Sequence, residues 1–163
     1  MYNYCGDSMN NVVSKLKSLN KTISTMESCT GGSLANEITN IEGASEIIKF
    51  SAITYSNEFK IKMGVNKEII DTYSVYSIET AMEMSKKISK FTNSNYGVGI
   101  TGKLNRVDEN NLFGSDNKVF ISIYSKDNNC FYNYDVEVTK NTRKENKKLV
   151  IKLVIKKLNE IIN

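Results

Sequence analysis

Residues 22–35, TISTMESCTGGSLA, place a β-branched run directly before a glycine turn and the start of a helical pattern. Thr22 to Met26 predicts a short strand, and Ser33 to Thr39 predicts a helix. Thr30-Gly31-Gly32 lies between them and is typical of a tight turn. A strand that passes straight into a helix indicates an α/β domain, because helices then cover the faces of a sheet.

The same alternation continues on both sides of this segment. Helices are predicted at residues 7–20 (capped by Asp7 or Ser8), 67–73, 78–91 and 142–162, with a helical turn at 57–62. Further strands are predicted at residues 50–55, 96–101, 119–124 and 130–136. The last two are joined by the hairpin segment 125–129, which favours a mixed sheet. We therefore predict a three-layer α/β/α sandwich with a mixed, mostly parallel sheet.

Length and composition favour one cytoplasmic domain. The 163 residues, 40% of them hydrophobic, suit a single domain over residues 1–163 with its own core. The first residues carry no basic and apolar signal pattern, and no apolar run approaches a membrane span. Cys5, Cys29 and Cys130 lack metal-ligand spacing. We expect no metal site, no membrane span and a cytoplasmic location.

Histidine is absent from the sequence, and this excludes several catalytic classes. Ser-His-Asp and Cys-His catalysis both require an imidazole base, and histidine-based zinc sites require imidazole ligands. Any general base must therefore be a lysine, tyrosine, carboxylate or thiolate.

A literal G-x-G-x-x-G match occurs at residues 97–102. The dinucleotide fingerprint needs its glycines after a strand and at the start of a helix. Here they fall inside a predicted strand, and the residues that follow have no helical periodicity. We predict that this motif is not a dinucleotide site.

Two side chains next to the first glycine turn are candidate nucleophiles, Ser28 and Cys29. The N–H groups of the turn are suited to a phosphate or an oxyanion, although Thr30 is equally suited to a plain helix cap. Lys60 is a candidate base if burial lowers its pKa, whereas most lysines are solvated. Composition and spacing leave each of these alternatives open.

The runs ESCTGG at residues 27–32, TYSNEFK at 54–60 and GITG at 99–102, in this order and spacing, resemble the CinA C-terminal domain family. The resemblance implies a three-layer α/β/α fold and hydrolysis of the carboxamide of nicotinamide mononucleotide, without metal or cofactor. It also implies a serine-lysine mechanism, with Ser28 as nucleophile, Lys60 as base and Tyr55 as their neighbouring proton or hydrogen-bond partner. The substrate-binding residues expected from it are Thr30, Gly31, Gly32, Thr101, Gly102 and Arg143.

The sequence departs from that family pattern in three places, one of which is a glycine replaced by Tyr73 or Ser74. Where the family has a glycine- and proline-rich run, residues 103–114 read KLNRVDENNLFG. Near the C-terminus, Arg143 and Lys147 stand for a pair of arginines. A divergent nucleotide-binding module with weak or no amidase activity is therefore the alternative function.

The partner expected from the sequence is a small nucleotide. From Thr139 onward, eight basic and two acidic residues give the C-terminal segment a charge of +6. A basic segment of this kind is typical of a solvated helix face. It has no interleaved aromatic residues, so a nucleic-acid partner is not expected. Self-association into a homo-oligomer is left open.

Overall fold

The computed structural model describes residues 8–163. The elements in chain order are α1 (Met9–Ser18), β1 (Ile23–Glu27), α2 (Ser33–Thr39), β2 (Ser51–Ile53), α3 (Asn57–Lys62), α4 (Lys67–Tyr73), α5 (Ile78–Thr92), β3 (Tyr96–Gly102), β4 (Lys118–Ser125), β5 (Cys130–Glu137) and α6 (Arg143–Ile161). The expectations for Cys5 and for Asp7 as a cap lie outside the described residues. Ser8 caps α1 by accepting the N–H of Asn11.

The sheet has five strands in the order β2-β1-β3-β4-β5. β1 is parallel to β2 and to β3, whereas β3 with β4 and β4 with β5 are antiparallel. The predicted mixed sheet is confirmed, but the expectation that it is mostly parallel is wrong, because two of its four pairings are antiparallel. The hairpin between β4 and β5 gives one antiparallel pairing, and the segment that returns from β3 to β4 gives the other, so neither needs a crossover helix.

Helices cover both faces of this sheet, so the three-layer α/β/α architecture is confirmed. On one face, α1, α2 and α6 pack together, and Leu16, Leu34 and Val154 are fully buried there. On the other face, α4 and α5 pack through Ile70 and Met84. Among residues 8–163, every helix is too short or too polar to cross a bilayer.

The glycines of the G-x-G-x-x-G match serve packing in this fold. Gly97 and Gly99 lie within β3, directly beneath α5. A Cβ added to Gly97 would overlap the carbonyl oxygen of Ser85, and one added to Gly99 would overlap that of Ala81. The motif therefore lets a helix approach the sheet closely, as expected from its position inside a strand.

The parallel half of the sheet determines where the candidate site lies. β1, β2 and β3 end at the same edge, because parallel strands run in one direction. Ser28 follows β1, Thr54 follows β2 and Lys103 follows β3. Ligands of open α/β sheets bind at the carboxyl ends of the strands, so this edge is the place to look for chemistry.

Candidate active site

Ser28 and Lys60 meet at this edge of the sheet. The Lys60 Nζ atom donates to Ser28 Oγ at 3.0 Å and to the carbonyl oxygen of Thr54 at 2.7 Å. Lys60 is only 1% exposed. The structure therefore brings together, in hydrogen-bonding contact, two residues that are 32 positions apart in the sequence.

The short helix α3 turns Lys60 inward. Ser56 starts the helix by accepting the N–H of Phe59 at 3.3 Å. The neighbours Phe59 and Ile61 are exposed, so the helix presents a lysine to the interior and two apolar side chains to solvent. This reversal of the usual pattern indicates a functional constraint, because buried lysines are rare unless they have a specific role.

Burial also changes the acid-base properties of Lys60. Both acceptors of its Nζ atom are uncharged, and the opposing effect of nearby Cys29 is smaller than the desolvation of the ammonium group. Burial lowers the pKa of Lys60 to about 8. In about a tenth of the molecules Lys60 is then neutral at pH 7, and a general base must be neutral to accept a proton.

The rival nucleophile Cys29 has the opposite electrostatics. Burial raises the pKa of its thiol to about 12, although the nearby charges of Lys60 and Arg143 act to lower it. The thiolate is the reactive form of cysteine, and almost none is present at neutral pH with this pKa. Ser28, with a base in contact, is therefore the better candidate.

A cavity of about 540 Å³ opens beside the Ser28–Lys60 pair. Of the residues predicted from the sequence, it collects Ser28, Lys60, Tyr55, Gly102 and Arg143. Tyr55 is 64% exposed at the mouth, where its hydroxyl accepts a hydrogen bond from Arg143 Nη2 at 3.1 Å. Tyr55 is thus placed to orient Arg143, and this hydrogen bond does not involve Ser28 or Lys60.

The other predicted binding residues do not line this cavity. Thr30 and Thr101 are buried, and their hydroxyls donate to Glu27 Oε1 at 2.7 Å and to the carbonyl oxygen of Val75 at 2.9 Å. Gly31 and Gly32 line a second groove. The Gly31 N–H donates to the Ser28 carbonyl oxygen at 3.0 Å. The role of these four residues in substrate binding stays a prediction, whereas the contacts of Thr30 and Gly31 shape the turn that carries Ser28.

Glu27 supports the turn that carries Ser28, and it was not among the site residues predicted from the sequence. Its carboxylate is fully buried and accepts the N–H groups of Leu34 and Ala35, each at 3.0 Å, besides the hydroxyl of Thr30. These N–H groups belong to the first turn of α2, where orphan donors would otherwise attract a ligand anion. Glu27 thereby occupies the start of α2 and ties it to the Ser28 turn. The signal in the sequence was an acidic side chain at the end of a strand, immediately before that turn.

Residues 103–116 include the departure from the glycine-rich run seen in the sequence and close one side of the cavity, although none of them was predicted as a site residue. Lys103 is buried and pairs with Asp116 at 3.2 Å. The Tyr76 hydroxyl donates to Asp108, and this hydrogen bond lowers the pKa of Asp108. Burial, followed by the bond to Asp108, raises the pKa of Tyr76. The Lys103–Asp116 pair therefore joins the two ends of the segment, and the bond from Tyr76 to Asp108 tethers it to the rest of the domain.

The cavity carries an excess of positive charge. Its lining includes Lys60, Lys103, Arg106 and Arg143 against a single carboxylate, Asp108. Within residues 8–163 no cluster of carboxylate or cysteine side chains is suited to hold a metal ion. A buried serine, a buried amine and several cations fit acyl transfer on an anionic substrate.

Comparison with known proteins gives a consistent result. Residues 7–162 match the family model of the CinA C-terminal domain. A competence-damage inducible protein of Thermoanaerobacter sp. (strain X514) is 42% identical over 98 residues, 59% of this chain and 24% of the relative. A CinA-like protein of Kosmotoga olearia is 45% identical over 92 residues, 56% of this chain and 22% of the relative. The aligned regions thus cover about a quarter of the length of these relatives.

Solved structures share the fold at low sequence identity. A CinA superfamily protein of Klebsiella pneumoniae 700603 superposes with a TM-score of 0.87 at 19% identity, covering 94% of each chain. A competence or damage-inducible protein of Enterobacter asburiae gives a TM-score of 0.88 at 19% identity, covering 99% of this chain and 100% of the other. At these identities the likeness shows the architecture.

Proposed function

This chain belongs to the CinA C-terminal domain family, and on that premise we propose that it hydrolyses the carboxamide of nicotinamide mononucleotide to nicotinic acid mononucleotide and ammonia. The observation that carries the proposal is the contact between the buried Lys60 Nζ atom and Ser28 Oγ at 3.0 Å. In a chain without histidine, this pair supplies both the nucleophile and the base of an amidase.

The reaction begins with neutral Lys60. One N–H of Lys60 stays hydrogen-bonded to the Thr54 carbonyl oxygen, and this bond directs the nitrogen lone pair toward Ser28. Lys60 takes the Ser28 proton while Oγ attacks the carboxamide carbon. It then returns the proton to the leaving nitrogen, the C–N bond breaks, and ammonia departs from an acyl-serine. A water molecule, deprotonated by Lys60, attacks that ester, and Ser28 recovers its proton as the C–Oγ bond breaks.

The phosphate of the substrate is matched by the cations of the cavity. Arg143 is oriented by its hydrogen bond to Tyr55, and Arg106 lies in the segment that replaces the glycine-rich run of the family. Guanidinium groups bind phosphate through charge-assisted hydrogen bonds. Replacement of that run also favours the alternative, a module that binds a nucleotide with weak or no hydrolysis, because different side chains now face the ligand.

One assay separates the two functions. The purified protein is incubated with nicotinamide mononucleotide, and ammonia and nicotinic acid mononucleotide are quantified together. The amidase produces both in equal amounts. Binding of the nucleotide by calorimetry without either product would identify the binding module instead.

The rate of the amidase is expected to rise with pH. Lys60 acts only when neutral, and its pKa of about 8 means that the neutral fraction falls about tenfold per pH unit below that value. We expect kcat/KM to increase about tenfold from pH 6.5 to 7.5 and to level off above pH 8.5. Initial rates between pH 6.5 and 9.5 test this, with circular dichroism confirming that the protein stays folded. A flat profile would remove Lys60 as the base.

Arg143→Ala is expected to raise KM more than it lowers kcat. The guanidinium lies in the cavity wall and not against Ser28, so its loss weakens phosphate binding by about tenfold or more while leaving the reacting pair in place. Tyr55→Phe is the matched control, since it removes one acceptor of Arg143 and keeps the charge; its KM should change less. An unchanged KM in Arg143→Ala excludes Arg143 from the substrate site.

A further inference from the structure

A second groove, of about 630 Å³, lies between α2 and α6. It shares no lining residue with the cavity beside Ser28. Arg143, at the start of α6, lines the first cavity, whereas Lys147, one turn later, lines the second. The basic C-terminal helix therefore serves two different surfaces.

One wall of this groove is a row of lysines. Lys144, Lys147, Lys148 and Lys152 all line it, at spacings of three and four residues that place them on one helix face. Within residues 8–163, none of the four is in an ion pair. The opposite wall carries a single carboxylate, Glu37. The groove therefore has an uncompensated positive charge.

The opposite wall also leaves room for a ligand beside this row. Gly31 has a φ of 61°, and the Lys147 Nζ atom lies 3.2 Å from where a Cβ on that glycine would be. A side chain at position 31 would therefore displace the Lys147 ammonium group. Gly31 therefore leaves space in the groove for the Lys147 ammonium group.

The groove also has an apolar part. Ile151 and Ile155 belong to the same face of α6 as the lysines and contribute to the lining. No aromatic side chain lines it, so the stacking surface typical of single-stranded nucleic-acid sites is missing. Its volume is within the range of small-molecule sites.

From these observations we propose that the α2–α6 groove binds a nucleotide that carries two or more phosphate groups. The lysine row extends from Lys144 to Lys152, a rise of about 12 Å along the helix, which is more than a single phosphate can contact. Consecutive phosphates lie along the row, and the isoleucines cover the organic part of the ligand. The site is separate from the one that holds the carboxamide, so it does not depend on the amidase function.

Calorimetric titration with ADP and with pyrophosphate tests this proposal. We expect ADP to bind several-fold more tightly than pyrophosphate, because only ADP has an organic part to cover the isoleucines. The variant Lys144→Gln/Lys148→Gln should weaken ADP binding about tenfold or more. The matched control is Lys90→Gln/Lys156→Gln, which removes two charges from exposed lysines outside the groove and should change binding less than about twofold.

Four results would overturn the proposal. The first is absence of ADP binding at millimolar concentration, and the second is equal loss in the two double variants with unchanged melting. The third is displacement of ADP by nicotinamide mononucleotide, which would make the groove part of the first site. The fourth is tighter, strongly salt-dependent binding of duplex DNA through the same lysines, which would identify a nucleic-acid surface. All are binding measurements, so they stand whether or not the protein releases ammonia.

Discussion

Ser28→Ala and Lys60→Met are each expected to reduce ammonia release from nicotinamide mononucleotide by about a thousandfold or more, and the double variant should be little worse than either. The reason is the 3.0 Å contact between Lys60 Nζ and Ser28 Oγ. A nucleophile and its base act as one unit, so removing either removes the same transition-state stabilisation. The measurement is kcat/KM for the three variants under one set of conditions, at pH 8.5.

Both substitutions should leave the fold intact. Ser28→Ala removes one oxygen, and Lys60 keeps its bond to the Thr54 carbonyl. Lys60→Met keeps most of the buried bulk and deletes an amine whose burial has a cost, so its Tm should be equal or higher. Lost activity with an unchanged Tm is then chemical in origin.

Cys29→Ala serves as the control for the neighbouring thiol. The pKa of Cys29, raised to about 12 by burial, makes it a weak nucleophile, so this variant should keep its activity. If Cys29→Ala were inactive and Ser28→Ala active, the nucleophile would be Cys29 and not Ser28. Full activity in Lys60→Met would refute the serine-lysine mechanism.

Local sequence patterns predicted most of the elements. The ranges predicted for α3 and α4, residues 57–62 and 67–73, are those observed, because Ser56 and Asn66 cap them. β2 is shorter than the predicted 50–55, since the chain must leave the sheet for Ser56 to begin α3. Thr30, suited to cap α2, instead turns inward to Glu27, and Gly32 takes the cap position.

Local sequence patterns predicted less of the site, because its contacts join residues that are far apart in the sequence. Nothing in the spacing around Lys60 distinguishes it from the exposed Lys62, which pairs with Glu58 one helical turn away. Only the resemblance to the family selected Lys60. The hydrogen bond between Tyr76 and Asp108 joins residues 32 positions apart, one of them in a segment without periodicity. Such contacts leave no pattern in the sequence.

Gly97→Ala is expected to destabilise the protein by about 3 kcal/mol or more, at the upper end of overpacking effects. The added Cβ would overlap the Ser85 carbonyl oxygen, and the Ser89 Cβ is 2.9 Å away. Backbone atoms cannot swing aside as a flexible side chain does, so α5 must shift away from β3. At this chain length the change corresponds to a fall in Tm of about 6 to 12 °C.

Gly114→Ala separates this packing effect from the ordinary cost of replacing glycine. Gly114 has a φ of 84°, but a Cβ there would meet no atom within 4 Å. Its substitution should cost about 1 to 2 kcal/mol, from the left-handed backbone alone. Gly97 is not in that backbone region, so its larger cost must come from contact with α5. Urea unfolding of the two variants decides the matter: if Gly97→Ala is no less stable than Gly114→Ala, the glycines of β3 are not what allows α5 to lie so close to the sheet.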